Sequence, residues 1–176
     1  MKTFRQYIEF IDDKSKLLEL KVFDKLNELG LEYFIYEHPP LRTVEESKAL
    51  RGEMHGGHTK NLFLRDKKKK NYLITVNENQ KIDLKFLESE LSSGRLSFGS
   101  PERLSQFLGV KPGAVSPLAL LNDKHNDVSF FIDHNLLSEN ILNFHPLVNH
   151  LTVSIKVTDF KYFLKSQNKF YNEIYF

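Results

Sequence analysis

The stretch GEMHGGHTKNLFLRDKKKKNYLITV, residues 52–76, decides how the chain is read. Within it NLFLRD (61–66) and NYLITV (71–76) are short apolar runs joined by lysines, which predicts a β-hairpin. Three more segments read as strands: LEYFIYEH (31–38), DVSFFID (127–133) and LTVSIKV (151–157). Helical spacing surrounds them. Phe4, Tyr7, Ile8 and Ile11 follow a Thr3/Gln6 capping box, and Leu18, Val22, Leu26 and Leu29 precede Gly30. A Thr43/Glu46 box predicts a short helix closed by Gly52. Asp83 opens a helix to Leu91, and Ser100-Pro101 opens one that ends at Gly109. Ser116-Pro117 repeats that signature, and Asp159 opens a last helix bearing Phe160, Phe163 and Leu164. Helices and strands are interspersed, and at least one strand pair is antiparallel. The expected class is α+β, a mixed sheet flanked by helices, rather than a doubly wound parallel sheet.

Composition narrows the chemistry. The 176 residues suit one domain, with residues 1–13 as a helical extension and 14–176 as the folded body. A net charge of +2 means that any nucleic-acid binding must come from a local patch. The chain has no cysteine, which excludes a thiol nucleophile, disulfides and a Cys-ligated zinc. The N-terminus carries acids among its apolar residues, unlike a secretory signal, and no apolar run is long enough to span a membrane. These features predict a soluble cytoplasmic protein.

Several motifs admit a plain and a chemical reading. LGVKPGAVSP (108–117) packs two glycines and two prolines into a shaped loop, a connector or a ligand cradle. It lacks the signatures of a P-loop or a dinucleotide site. His55 and His58, with His38 and Glu53, suggest a metal site, but HGGH lacks the helical spacing of a zinc motif and reads as a glycine-rich mobile loop. His145, in NFHPLVNH, reads alone as a structural histidine. The run Lys67–Lys70 reads as a solvated turn, with phosphate contact to RNA as the alternative.

Taken in order, EHPPLRTVEE (37–46), GGHTKNLFLRD (56–66), LGVKPGAVSP (108–117) and NFHPLVNHLTV (143–153) resemble the YbaK/ProX family. The resemblance covers roughly residues 15–165. It implies a mixed, partly barrel-like sheet flanked by helices and an aminoacyl-tRNA deacylase activity. The motifs are most similar to the free-standing ProX type, which implies hydrolysis of mischarged alanyl-tRNA(Pro) and hence proofreading of prolyl-tRNA synthetase. Two alternatives stand beside it: a cysteinyl-tRNA(Pro) deacylase of the YbaK branch, or a non-catalytic module binding tRNA or the synthetase. The implied partners are tRNA(Pro) carrying a wrong amino acid and prolyl-tRNA synthetase, with no membrane. No metal or cofactor is implied.

The resemblance also assigns positions. Lys60 matches the family's active-site lysine, with Gly113 and His145 as further catalytic candidates. Asn61, Gly109, Pro112, Ala114, Pro117, Asn149, His38 and Thr43 fall on candidate substrate-binding positions. The expected pocket lies between the loop 108–117, His145 and the strand after Lys60.

Overall fold

A computed structural model describes residues 13–40, 45, 48 and 54–176. The predicted helix at 3–11 and Thr43 itself lie outside these residues, and of the Thr43/Glu46 helix only Glu45 and Lys48 are described, both helical. Helix α1 (Asp13–Glu28) leads to β1 (Tyr33–Glu37). The predicted hairpin is β2 (Gly57–Arg65) and β3 (Asn71–Asn77), antiparallel, with Asn61 opposite Thr75 and Leu64 opposite Tyr72. Then come α2 (Leu84–Glu90), β4 (Ser97–Phe98), α3 (Pro101–Leu108), β5 (Val128–Asp133), β6 (Ile141–Phe144), β7 (Leu151–Lys156), α4 (Val157–Ser166) and β8 (Tyr171–Ile174).

The local signals act as read where the cap itself is local. Asp83 accepts from Lys85 N and Ser100 from Arg103 N, each satisfying an otherwise unpaired first-turn donor. Two expectations change. Ser116-Pro117 opens a short 3-10 helix (Pro117–Asn122) instead of an α-helix, its first four residues sunk in the core. The last helix starts at Val157 with no side-chain cap, and Asp159 sits in its first turn, where a carboxylate complements the helix dipole.

The eight strands form one mixed sheet in the order β1-β7-β6-β2-β3-β5-β8, with β4 beside β2. The pairs β2–β6, β3–β5 and β5–β8 are parallel, and the others are antiparallel. Six consecutive residues of β3, Asn71–Val76, are buried, because both of its faces are covered. Leu73 joins a main core with Phe23, Leu26, Phe130, Phe144 and Phe160. Tyr72, Ile74 and Val76 join a smaller core with Leu64, Leu87 and Ile174. Strands β6 and β8 were not expected from sequence. Each spans four residues and has a partner far away in the chain, β2 for β6 and β5 for β8.

HGGH is not a mobile loop. Gly57 and His58 begin β2 and pair with Leu142 and Asn143 of β6. A Cβ added at Gly56, whose φ is +97°, would stand 2.7 Å from Ile141 O. The glycine therefore permits the close approach of β2 to β6.

Phe160 ties the halves of the main core together, its ring centroid 4.8 Å from Phe144 and 6.4 Å from Phe130. Phe160→Ala is expected to destabilise the fold by about 3–5 kcal/mol, measured by denaturant unfolding. A loss below about 1 kcal/mol would show that the helix is not anchored there.

Candidate active site

Parallel pairing between β2 and β6 lasts for only two residue pairs, Gly57–Leu142 and His58–Asn143. Beyond them lies a small cavity of about 40 Å³, lined by His58, Thr59, Asn61, Asn143, Phe144 and His145. His38, Met54, Glu78 and Thr152 complete the lining. At roughly 10–15 Å³ per water, the space suits a few water molecules.

Its polar groups are held by one another. Thr59 Oγ1 donates to Asn143 O at 2.9 Å, and Thr75 Oγ1 donates to Asn61 Oδ1 at 2.7 Å. Asn61 Nδ2 is 3.5 Å from Thr59 Oγ1. The Asn61 amide is thus oriented, with its oxygen already engaged. Asn143 donates to His55 O at 2.9 Å and to Gly57 O at 3.3 Å, and accepts from Ser154 Oγ.

The two cavity histidines are fixed by backbone carbonyls. A carbonyl only accepts, so Nδ1 of His145 carries the proton given to Leu151 O at 2.7 Å. Nδ1 of His38 likewise donates to Pro39 O, and its Nε2 accepts from Thr152 Oγ1, both at 2.9 Å. Burial pushes the pKa of both rings below the ordinary histidine value, opposed by these carbonyl bonds, while neighbouring histidines lower each further. The ring centroids of His38 and His145 are 5.8 Å apart. At neutral pH both are uncharged, and the Nε2 of His145 is an acceptor.

A second, larger space adjoins this one along residues 144–150. It is an open groove of about 750 Å³ between the end of α3, the glycine/proline loop and residues 147–150. Gly109 caps α3 with φ +66°. Lys111 to Ala114 form a turn closed by Ala114 N to Lys111 O at 3.1 Å, with Gly113 at φ +90°. Proline second and glycine third is the pattern of a type II turn, whose third residue requires positive φ. The backbone of His38 donates to His150 O at 3.1 Å, linking the cavity wall to the groove. Behind the groove, His150 Nε2 lies 3.4 Å from Glu19 Oε2 of α1.

The site predicted as one pocket is therefore two adjoining spaces. His38, Asn61 and His145 line the cavity. Gly109, Pro112, Gly113, Ala114 and Asn149 line the groove. Pro117 is buried in its 3-10 helix and lines neither space. Lys60 stands on β2 between Thr59 and Asn61, half-buried, and its Nζ donates to Gln80 O at 2.6 Å. Burial lowers its pKa, the charges of Glu45 and Glu78 oppose that shift, and Lys48 adds to it. Lys60 is not in the lining; it stands between two lining residues of β2, and the charge it feels from Glu78 comes from a third. Thr59, Asn143, Thr152, Lys111 and His150 were missed from sequence. For Thr59, Asn143 and Thr152 the available signal was a polar residue on an otherwise apolar strand, while Lys111 and His150 lie in loops and carried none. Among the described residues no three His, Cys, Asp or Glu side chains gather as a metal site.

Residues 38–163 match the family model of the aminoacyl-tRNA editing domain, and the chain belongs to that family. It is 38% identical over 154 residues to the prolyl-tRNA editing protein ProX of Acetoanaerobium sticklandii, covering 87% of this chain and 94% of that protein. It is 36% identical over 154 residues to the prolyl-tRNA synthetase associated domain-containing protein 1 of Mus musculus, covering 85% and 90%. A solved structure described as a candidate trans-editing enzyme for prolyl tRNA synthetase shares the fold, with a TM-score of 0.65 at 20% identity over 89% of this chain and 95% of that one.

The neutral histidines give a pH signature. Their folded pKa values lie below the unfolded value near 6.5, so below that pH the unfolded chain binds protons that the folded chain refuses. Their contribution is intact above about pH 6.5 and is lost as pH falls. Thermal unfolding between pH 7 and about pH 5 should show a falling midpoint, and His145→Asn should make that fall smaller. An equal fall in both proteins would exclude His145 as a source.

Proposed function

We propose that this protein is a trans-editing hydrolase that removes alanine from mischarged alanyl-tRNA(Pro), correcting errors of prolyl-tRNA synthetase. The observation that carries the reading is a water-sized polar cavity with neutral His145 at one side, beside an open groove built by the glycine/proline loop. The similarity to a named prolyl-tRNA editing protein over nearly the whole chain supports the substrate class.

Hydrolysis of an aminoacyl ester needs positioning more than a strong nucleophile, because the ester is already activated. The terminal nucleotide occupies the groove and the aminoacyl carbonyl faces the cavity. A water in the cavity donates a hydrogen bond to His145 Nε2 and attacks the ester carbon. The Asn61 amide, its oxygen held by Thr75, offers N–H to the carbonyl oxygen as negative charge develops there. The bond from the ester carbon to the ribose oxygen breaks, and that oxygen takes up the proton. Free alanine and tRNA with an intact terminal ribose leave. Lys60, on β2 beside the cavity, holds the anionic end of the tRNA, and Lys111 adds a second cation on the groove side.

Selectivity follows from size. A synthetase pocket built for proline rejects smaller alanine by only about 1–3 kcal/mol per missing methylene. A separate cavity of about 40 Å³ sorts in the opposite direction, admitting a methyl group and excluding a ring.

The deciding assay incubates the protein with tRNA(Pro) charged with alanine, cysteine, serine or proline. Loss of the alanyl ester with the prolyl ester spared is expected. Preferential loss of the cysteinyl ester would transfer the protein to the YbaK-type activity, and loss of none would refute the hydrolase. In single-turnover assays Lys60→Ala should slow deacylation by about 10²-fold, with Lys60→Arg rescuing partly. Lys60→Ala should leave the melting curve nearly unchanged, within about 0.5 kcal/mol in stability. Gly113→Val should fold and lose activity, because its φ of +90° suits glycine and disfavours valine.

A further inference from the structure

The lysine run lies at the opposite end of β2 from Lys60. From Lys60 the strand runs five more residues to Arg65, roughly 17 Å at about 3.3 Å per strand residue, and the turn with the lysines follows it. All four side chains, Lys67 to Lys70, are exposed. The turn carrying them is braced more firmly than a solvated tip requires. Asp66, 3% exposed, accepts from Lys70 N at 3.0 Å and from Tyr72 Oη at 3.2 Å. Arg103, from α3, donates to Lys69 O at 3.2 Å and to Asn71 Oδ1 at 2.6 Å. Lys69 adopts φ +65°, a strained conformation for any residue but glycine, so the turn keeps a cation where glycine would fit without strain.

More cations surround the turn. Arg65, Lys67 and Arg95 line a concavity of about 250 Å³ beside it, with Asp66, Leu96 and Ser97. Arg65 Nε is buried without a hydrogen-bond partner, an unmet donor in that wall. Phe98, paired opposite Leu64, is 62% exposed next to this group. Asp66, Glu88 beside Leu96 and Asp127 beside Asn71 offset part of this charge, but the six cations Arg65, Lys67 to Lys70 and Arg95 outnumber these three acids. A chain with a net charge of only +2 thus concentrates positive charge at one end of one strand pair.

We propose that the β2–β3 tip and the Arg65/Arg95 concavity form a phosphate-binding surface for the double-stranded stem of the RNA whose 3′ end enters the site. The inference rests on the deacylase reading for the identity of that RNA. The spacing from Lys60 suits such a substrate: a few unpaired nucleotides run along β2 from the cavity end to the tip, and the paired stem begins where the lysines stand. Phosphate contacts of this kind position the RNA without reading its sequence.

The test compares the wild type with Lys67, Lys68, Lys69 and Lys70 all changed to Ser, and with all four changed to Arg. The first probe is a stem-loop RNA ending in single-stranded CCA, its binding measured across a range of salt concentrations. The wild type should bind with steep salt dependence. The Ser variant should bind at least about 10-fold more weakly at low salt, with its log–log slope reduced by roughly 2 or more, and the Arg variant should recover both. The second probe is a short alanylated oligonucleotide with no stem, which the wild type and the Ser variant should hydrolyse at equal rates. Equal affinity and slope for wild type and Ser variant, or no binding by the wild type, would overturn the surface. Tip-dependent binding without hydrolysis of any ester by the wild type would keep the surface and refute the deacylase reading instead.

Discussion

The structure depends on one clasp, the side chain of Asn143. Its amide reaches across to two carbonyls, His55 O and Gly57 O, while its oxygen takes the hydroxyl of Ser154. The β6–β7 pair is thereby fixed to residues 55–57, more than eighty positions away in sequence, at the point where β2 first meets β6. Asn143 is only 4% exposed, so each of these bonds replaces a water contact that burial removes. The two residue pairs between the strands are few, and the clasp makes the junction definite. The glycines at 56 and 57 are the other half of the device, since a side chain at Gly56 would strike the backbone at Ile141.

The cavity is a place where a hydrophobic sheet changes character. Along β2 and β3 the inward positions run from Phe63 and Leu73 to Asn61 and Thr75. The switch replaces apolar packing with a paired amide and hydroxyl, each satisfied by the other. Unpaired, such groups would each cost about 1–3 kcal/mol in a buried setting. Paired, they keep the space wet and fixed in shape. The histidines follow the same rule, since both rings give their Nδ1 proton to a carbonyl and stay neutral through burial.

Features written in neighbouring residues were legible in the sequence. The hairpin, the Asp83 and Ser100 caps and the Gly109 stop need only adjacent positions, and all occur as read. The glycine/proline loop was legible as a shaped loop, and its Lys111–Ala114 turn follows from proline and glycine chemistry. What depends on distant partners was not legible. β8 pairs with β5 across about forty residues, and nothing in YNEI announces it. Thr59 and Asn143 are joined by a hydrogen bond over a separation of 84 residues, so neither sequence position marks the cavity alone. His58 reads as part of a flexible segment until its partner strand is known, because Gly-Gly signals mobility and close packing equally well. Lys60 stood apart from the lysine run ahead of NLFL, and the family resemblance gave it a role, but its hydrogen bond to Gln80 O could not be inferred from either.

The short seam between β2 and β6 has a consequence for changing selectivity. The sheet falls into two halves, β1-β7-β6 and β2-β3-β5-β8, and the cavity opens where they meet. Its walls come from both plates, Asn143, Phe144 and Thr152 from one and Thr59 and Asn61 from the other, so its width follows their separation. Trimming one lining residue adds volume on one wall. Shifting the plates by a fraction of an ångström changes every wall together. The governing coordinate for an engineered change in width is therefore the seam held by Gly56 and Gly57, which stand outside the lining, and by Asn143, which joins the seam to it.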